Sequence, residues 1–526
     1  MKKFVIPSWL AWMLIVCGSI LAGFIVSTKA PLVWDDPALH RHSQWLLWKF
    51  GLMDQAPMPS AFGKWTGPLW ALILGIATEL MFPWLQDPYL VRHALTWALW
   101  PLTLIATYLL LQKCGIKKST AFLAVAFLFG IIRFGGHALV SPRDFTHAAG
   151  FLVVTLALFV LIKHQKAFTH RRHLFLVGAV SVIPFLLRSP DLLHFGILLF
   201  IFAEVAMKSK MTLRKKCNVF LFGIGGATVS VLLISPVLWE QGFSTFMHPF
   251  QLFSRFPLMI DQRAFGMIFR SDAVPLWYPF AVLPLLSHPA VFLLAVPGFA
   301  AFFYVRSPEG QKKAKKDMLE ITLKQWIAQI ILFSWVAILV LRPHLYDEER
   351  HLLFLYPPLF VAAALGFDRM RERFKVAMGI VIIAISLFSY ASWGRYAYAY
   401  KSPLIGSRAA DRFMGDYRSA CVPEAVDALQ GRVGADIPIV IYEHGPLENA
   451  AIQEHRRTTS LVARTPGQLH QFLSDPPTKK PYAVLIHQSV NRFPDVMTDI
   501  NAGRAELLWK NMMPLGDIAC AIALYR

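Results

Sequence analysis

The sequence predicts a mainly α-helical, polytopic membrane protein of about eleven transmembrane helices, followed by a small C-terminal α/β domain on the outer face. Three observations carry this reading. The chain of 526 residues is 56% hydrophobic with a mean hydropathy of +0.48, and only 16% of it is charged, against about 25% in soluble globular proteins. The apolar residues are gathered into long runs, and the basic residues into short segments between them. The same composition excludes a disordered chain, which is poor in apolar residues. Five cysteines over this length exclude a disulfide-built mini-domain. The net charge of +20 at first admits nucleic acid, an anionic membrane surface or an acidic substrate as partner.

Crossing the hydrocarbon core takes roughly 20 apolar residues. Eleven stretches qualify, some only with their flanks: 5–27, 93–112, 119–137, 146–162, 174–190, 192–207, 218–238, 279–305, 325–342, 351–367 and 375–393. Short cytoplasmic loops retain Lys and Arg, so Met1-Lys2-Lys3 places the N-terminus inside. With alternating spans, the inner segments hold 24 Lys and Arg residues against five acids, a net of +19. The tail 394–526 nets +2 and the remaining segments −1. The basic excess is therefore a topology signal against the inner leaflet, and no nucleic-acid partner is expected. The apolar run 68–82 is read as a helix in the outer interface, because counting it as a span would put every later Lys-rich loop outside. The first run reads as an uncleaved anchor. The chain divides into a membrane domain, 1–393, with a long outer loop at 28–92, and an outer domain, 394–526.

The tail alternates helical patterns with the strand-like runs Ile437–Tyr442, Tyr482–Ile486 and Ile518–Tyr525. Cys421 and Cys520 both fall in it, where oxidation is permitted; they form either a disulfide or two buried thiols.

Charges at a membrane rim are costly and tend to be functional, and four clusters fall on the outer face. Trp34-Asp35-Asp36-Pro37-Ala38-Leu39-His40 presents two adjacent carboxylates, suited to a general base or a cation, or to a helix N-cap. Ser141-Pro-Arg143-Asp144 and Arg188-Ser-Pro-Asp191 each set an acid and an arginine at a helix start; capping and snorkelling account for either one taken alone. Arg342–His351 brings Arg350 and His351 to a helix start, an arrangement suited to a phosphate or to a loop ion pair with Asp347 or a neighbouring Glu. Together they suggest a site for a lipid phosphate with a base beside it. Walker A, GxGxxG, paired CxxC and HExxH patterns are absent from the sequence.

Six ordered motifs extend this. Asp35-Asp36-Pro37, then Phe62–Trp70 with Lys64 and Asp87–His93, Ser141–Asp144, Pro275–Pro279 with Trp277 and Tyr278, Tyr346–Pro358, and Gly415-Asp-Tyr417 resemble the pattern of bacterial membrane glycosyltransferases of the GT-C fold, of the protein O-mannosyltransferase type (family 39). Asp36 replaces the usual Glu, and Arg418 stands where relatives often have Trp.

The resemblance implies a sugar donor carried on a polyprenyl phosphate and a single inverting displacement. Asp35 would take the proton of the acceptor hydroxyl, with Asp36 and Asp144 assisting. Arg350 and His351, helped by Arg143 and Arg188, would stabilise the departing lipid phosphate. His40, Lys64, Trp277, Tyr278 and Tyr346 would line the pocket for donor and acceptor. No cofactor is expected, although Asp35, Asp36 and Asp144 have the chemistry to hold a divalent cation. The acceptor is a glycan, a lipid or a protein, and the implied place is the bacterial inner membrane with the outer domain in the periplasm. Two other readings stay open: a transporter or flippase of polyprenyl-linked sugars, and a non-catalytic envelope assembly protein.

Overall fold

The computed structural model describes residues 16–21, 36–59, 67–85, 88–163, 170–188, 196–197, 200, 203, 212–242, 261–304, 315–345 and 348–405, and in the tail 413, 421, 424–425, 428, 432, 437, 439–442, 460–463, 481–487, 493–514 and 518–525. It is dominated by helices. In chain order these begin with α1 (Asp36–Lys49), α2 (Pro68–Gly75), α3 (Pro88–Lys113), α4 (Lys118–Phe129), α5 (Ile132–Val140) and α6 (Pro142–Lys163). They continue as α7 (Arg171–Ser181), α8 (Ile183–Leu187), α9 (Leu213–Ile234), α10 (Pro236–Gln241), α11 (Tyr278–Ala281), α12 (Pro289–Phe303), α13 (Lys315–Leu341), α14 (Tyr356–Gly366) and α15 (Glu372–Trp393).

Among the described residues, five helices are long and apolar enough to cross a membrane: Pro88–Lys113, Pro142–Ile162, Lys216–Ile234, Thr322–Leu341 and Glu372–Ala399. The expected count of about eleven is not reached among them. Apolar helices of 10–17 residues stand where three further spans are expected, at Lys118–Phe129, Pro289–Phe303 and Arg350–Gly366. The span expected at 174–190 is divided between α7 and α8, with Pro184 just inside α8. Most of the first and sixth expected spans lies outside the described residues.

The helices pack through aromatic and small residues. Trp100 of α3 stacks on Phe129 of α4 with ring centroids 5.2 Å apart, and Tyr390 of α15 meets it edge-on at 5.4 Å; such pairs add about 0.5–1.5 kcal/mol to the burial of their area. Gly366 of α14 lies so close to Gly298 of α12 that a methyl there would overlap the Gly298 carbonyl. Between α5 and α6 only Ser141 intervenes, and its hydroxyl bonds the Asp144 carboxylate at 2.6 Å. This places Asp144 in the first turn of α6, where an acid is favoured by the helix dipole.

The outer-loop helices α1 and α2 pack together. Leu39, Trp45 and Leu46 of α1 and Trp70, Ala71 and Leu74 of α2 share one hydrophobic cluster with Phe185, Leu186 and Leu187 of α8. After α2 the helix widens into a π-helical turn, Ile76–Met81.

A hairpin, β1 (Asp261–Ala264) and β2 (Met267–Arg270), precedes α11. The tail forms β3 (Ile439–Tyr442), β4 (Ser460–Ala463), β5 (Tyr482–His487), helix α16 (Phe493–Asn501), β6 (Ala505–Met512) and β7 (Ile518–Tyr525). Its five-stranded sheet has the order β4-β3-β5-β7-β6, with β3 parallel to β4 and β5, and β7 antiparallel to β5 and β6. A disulfide joins Cys421 to Cys520, whose Cα atoms are 5.9 Å apart. The sheet domain is tied to the segment after α15: Arg395 ion-pairs with Glu424, and the Tyr396 hydroxyl donates to Asn511 Oδ1 at 2.9 Å.

Candidate functional site

Asp144 is the centre of the candidate site. It is 1% exposed, and two guanidiniums meet it: Arg350 Nε at 2.5 Å from Oδ2, and Arg188 Nη1 at 2.5 Å from Oδ1. Arg350 opens the 3₁₀ turn Arg350–Leu355 that leads into α14, and Arg188 follows the last residue of α8. Three separate helix ends thus deliver one carboxylate and two cations to one place. Charge-assisted bonds of this kind are about twice as strong as neutral ones. Among the described residues, two guanidiniums share this one carboxylate, an arrangement suited to an anion.

His351, half-buried beside Arg350, has its Nδ1 at 3.3 Å from the His344 carbonyl, and its electrostatic neighbours are Arg188, Arg350 and Asp144. Arg143 is half-buried at the start of α6, next to Asp144. The structure therefore brings together Asp144, Arg188, Arg350 and His351 from the residues singled out in the sequence.

Tyr278, Trp277 and His40 have surroundings of their own. Tyr278 is fully buried in the main core, 0% exposed, whereas Trp277 beside it is 41% exposed and packs edge-on against Phe265 at 5.6 Å. The neighbouring residues thus face opposite environments. His40 belongs to a second polar group in the outer loop. Its Nδ1 is 3.0 Å from Arg92 Nη2 and 3.5 Å from Glu79 Oε1. Burial and the adjacent Arg92 lower its pKa to about 4, against the opposing pull of Glu79. It is therefore a neutral imidazole at physiological pH. Glu79 stands in the π-helical turn, held by Thr78 at 2.9 Å and Gln44 at 3.4 Å. Turns of this type recur at functional sites.

Asp35, the side chain of Asp36, Lys64 and Tyr346 lie outside the described residues. What the structure does place is the start of α1 at Asp36 and Leu39 in the same hydrophobic cluster as Leu187. Gly67, at φ 56° before α2, lies against the Leu187 backbone where a Cβ would overlap its carbonyl. The outer loop is thereby packed onto the residues preceding Arg188. Among the described residues no group of three or more His, Cys, Asp and Glu side chains is arranged to hold a metal ion.

Four charged residues beside the site were not singled out as site residues in the sequence. Arg133 of α5 pairs with Glu349 through Nη1 and with Glu348 Oε2 through Nη2 at 2.6 Å, and Lys401 pairs with Glu348 Oε1. All four are at most 2% exposed. Burial raises the Glu349 carboxyl above its usual range despite Arg133, and it lowers Lys401 to about 8. The signals available in the sequence were an arginine inside an apolar run and two adjacent acids before Arg350.

No family model matches the chain, and no curated protein matches it. Solved structures do. The oligosaccharyltransferase of Archaeoglobus fulgidus tethered to an acceptor peptide is 12% identical with a TM-score of 0.49, and the match covers 99% of this chain and 74% of that one. The same archaeal enzyme, AglB, in complex with an inhibitory peptide and a dolichol-phosphate gives 11% and 0.48, over 98% of this chain and 74% of that one. The mycobacterial arabinofuranosyltransferase AftD gives 9% and 0.47, over 99% of this chain but only 40% of its own length. These similar structures are glycosyltransferases.

Proposed function

We propose that the chain is an integral membrane glycosyltransferase that moves a sugar from a polyprenyl-phosphate donor to an acceptor hydroxyl at the outer face of the membrane, with inversion. The observation that carries the reading is the convergence of Arg350 and Arg188 on buried Asp144. Guanidiniums oriented by a buried carboxylate at helix ends are suited to a phosphate oxygen. The motif order around Asp35 and Tyr346–Pro358 supports it from the sequence side.

In this mechanism the Asp35 carboxylate accepts the proton of the acceptor hydroxyl. The hydroxyl oxygen forms a bond to the anomeric carbon as that carbon's bond to the phosphate oxygen breaks. The lipid phosphate leaves as an anion and needs no proton. Arg350 and Arg188 stabilise the charge that grows on it, while Asp144 fixes both guanidiniums so that little reorganisation accompanies the reaction. His351 extends the polar wall beside Arg350. The outer-loop group of His40, Glu79 and Arg92 belongs to the side from which the acceptor arrives. The place of action is the bacterial inner membrane, with the sheet domain in the periplasm.

The test is a deletion strain of the source organism, complemented with wild-type protein, Asp35→Asn or Arg350→Ala. Mass spectrometry would read both the polyprenyl-phosphate sugars and the envelope glycans. Wild type restores one missing sugar; both variants leave the lipid-linked donor accumulating. A strain that accumulates its donor only on the inner leaflet would instead indicate a flippase.

A further inference from the structure

Glu348, Glu349 and Arg350 are consecutive, and opposite charges from three separate parts of the chain hold them. Arg133 of α5 takes both Glu349 and Glu348, Lys401 takes Glu348, and Asp144 of α6 takes Arg350. Arg133 also donates from Nε to the Tyr400 carbonyl at 2.6 Å. Close packing sets this up. Gly136, one turn along α5 from Arg133, lies where a methyl would overlap the Tyr398 backbone, so the helix meets the segment before Lys401 directly.

The two groups of charges differ in balance. Arg133 and Lys401 neutralise Glu348 and Glu349, so this network has no surplus charge to offer a ligand. Its consequence is geometric. Glu348 adopts φ 59°, a left-handed conformation that is costly for a non-glycine residue and persists only where the surroundings impose it. Its carboxylate is held at both oxygens. The backbone leading into Arg350 is thereby fixed.

We propose that Lys401 and Arg133 are positioning residues, which act through Glu348 and Glu349 to hold Arg350 in the orientation that meets Asp144 and a donor phosphate. The inference rests on the function proposed above. Lys401 is the informative member, because it lies where the chain passes from the last long apolar helix to the sheet domain, with the Phe413 ring 5.4 Å from its ammonium. Among the described residues, the charged groups facing it are Glu348, Glu349 and Arg133. Burial and Arg133 lower its pKa to about 8 against the pull of the two acids. Mildly alkaline pH therefore discharges Lys401 and leaves Glu348 with Arg133 alone from this network.

The experiment uses the full chain in lipid nanodiscs, with undecaprenyl phosphate as probe, and reads its dissociation constant at pH 7 and pH 9 alongside thermal unfolding. Lys401→Met weakens binding at pH 7 by about 2- to 30-fold, the range in which residues that touch no ligand modulate a site. The reversed pair Glu348→Lys with Lys401→Glu recovers it. Lys401→Arg, which stays charged, loses less affinity between pH 7 and pH 9 than wild type does. Should Lys401→Met fail to fold, Lys401→Arg carries the test, and a pH dependence equal to wild type overturns the inference. It is also overturned if Lys401→Met binds as wild type while Arg350→Ala binds weakly, a result that leaves the phosphate site standing. Arg350→Ala binding as tightly as wild type removes the phosphate site, and the positioning role with it.

Discussion

Arg350 Nε donates to Asp144 Oδ2 across 2.5 Å, although the two residues stand 206 positions apart in the chain. Arg188 reaches the other oxygen of the same carboxylate. One acid thus organises two cations at the meeting point of α6, α8 and the turn before α14. Removing the acid and removing a cation should have different signatures.

Asp144→Asn leaves both guanidiniums without their shared carboxylate. Breaking a buried pair in this way costs about 3–5 kcal/mol, so thermal unfolding in detergent should begin well below that of wild type. In the proposed mechanism Arg350→Ala removes a group that stabilises the leaving phosphate, so the rate of sugar transfer should fall by about 10²–10³. An Arg350→Ala protein with unchanged single-turnover transfer would remove Arg350 from the mechanism.

Asp35→Asn keeps the size of the side chain and removes the proposed base. Sugar transfer falls by about 10²–10⁴ while membrane insertion and unfolding temperature stay at wild-type values. Retained transfer assigns the base elsewhere.

His40 gives a stability signature on the acid side. Its folded pKa of about 4 lies below the ordinary value of 6.5, so between these pH values the unfolded chain binds more protons than the folded one. Stability therefore falls as pH drops from about 6.5 to about 4. His40→Gln should flatten that part of the curve. An unaltered slope in equilibrium unfolding would assign it to other groups.

The Cys421–Cys520 bridge closes a separation of 99 residues. Removing a disulfide typically costs about 2–5 kcal/mol. Cys421→Ser should lower the unfolding temperature of the sheet domain, and mass mapping of unreduced protein should find neither cysteine alkylated. Alkylation of both in the native protein would reject the bridge.

Metal dependence is tested directly. The proposed displacement uses a base and guanidiniums, so transfer should continue after dialysis against EDTA. Activity that vanishes there and returns with Mg²⁺ or Mn²⁺ would assign a cation to Asp35, Asp36 and Asp144.

The legible parts of this molecule are those where a charge interrupts an apolar pattern at its end. Asp144, Arg188 and Arg350 stand at helix termini, and their cost there made them visible. Arg133 sits inside the run 119–137 and Lys401 inside a mixed tail, and a sequence holds no measure of the distance from either to residue 348. The strands divide in the same way. The three expected ones correspond to β3, β5 and β7, the inner strands of the sheet, and the two not foreseen, β4 and β6, are its edges. Inner strands are apolar on both faces and read as continuous runs, whereas β6, Ala505–Met512, mixes Glu506, Lys510 and Asn511 among apolar residues, as edges do. The length of the outer-loop helix was legible, but not its widening at Ile76–Met81, because nothing in its composition marks the extra residue per turn.

The pairing of Arg133 with Glu349 spans 216 positions. At about 5–20 residues per second, the ribosome reaches the acid roughly 10–40 s after the arginine. The helix that bears Arg133 must therefore be placed before its carboxylate exists. The network closes only when synthesis has passed Lys401. A chain released early lacks that closure and keeps a guanidinium whose intended acid was never made.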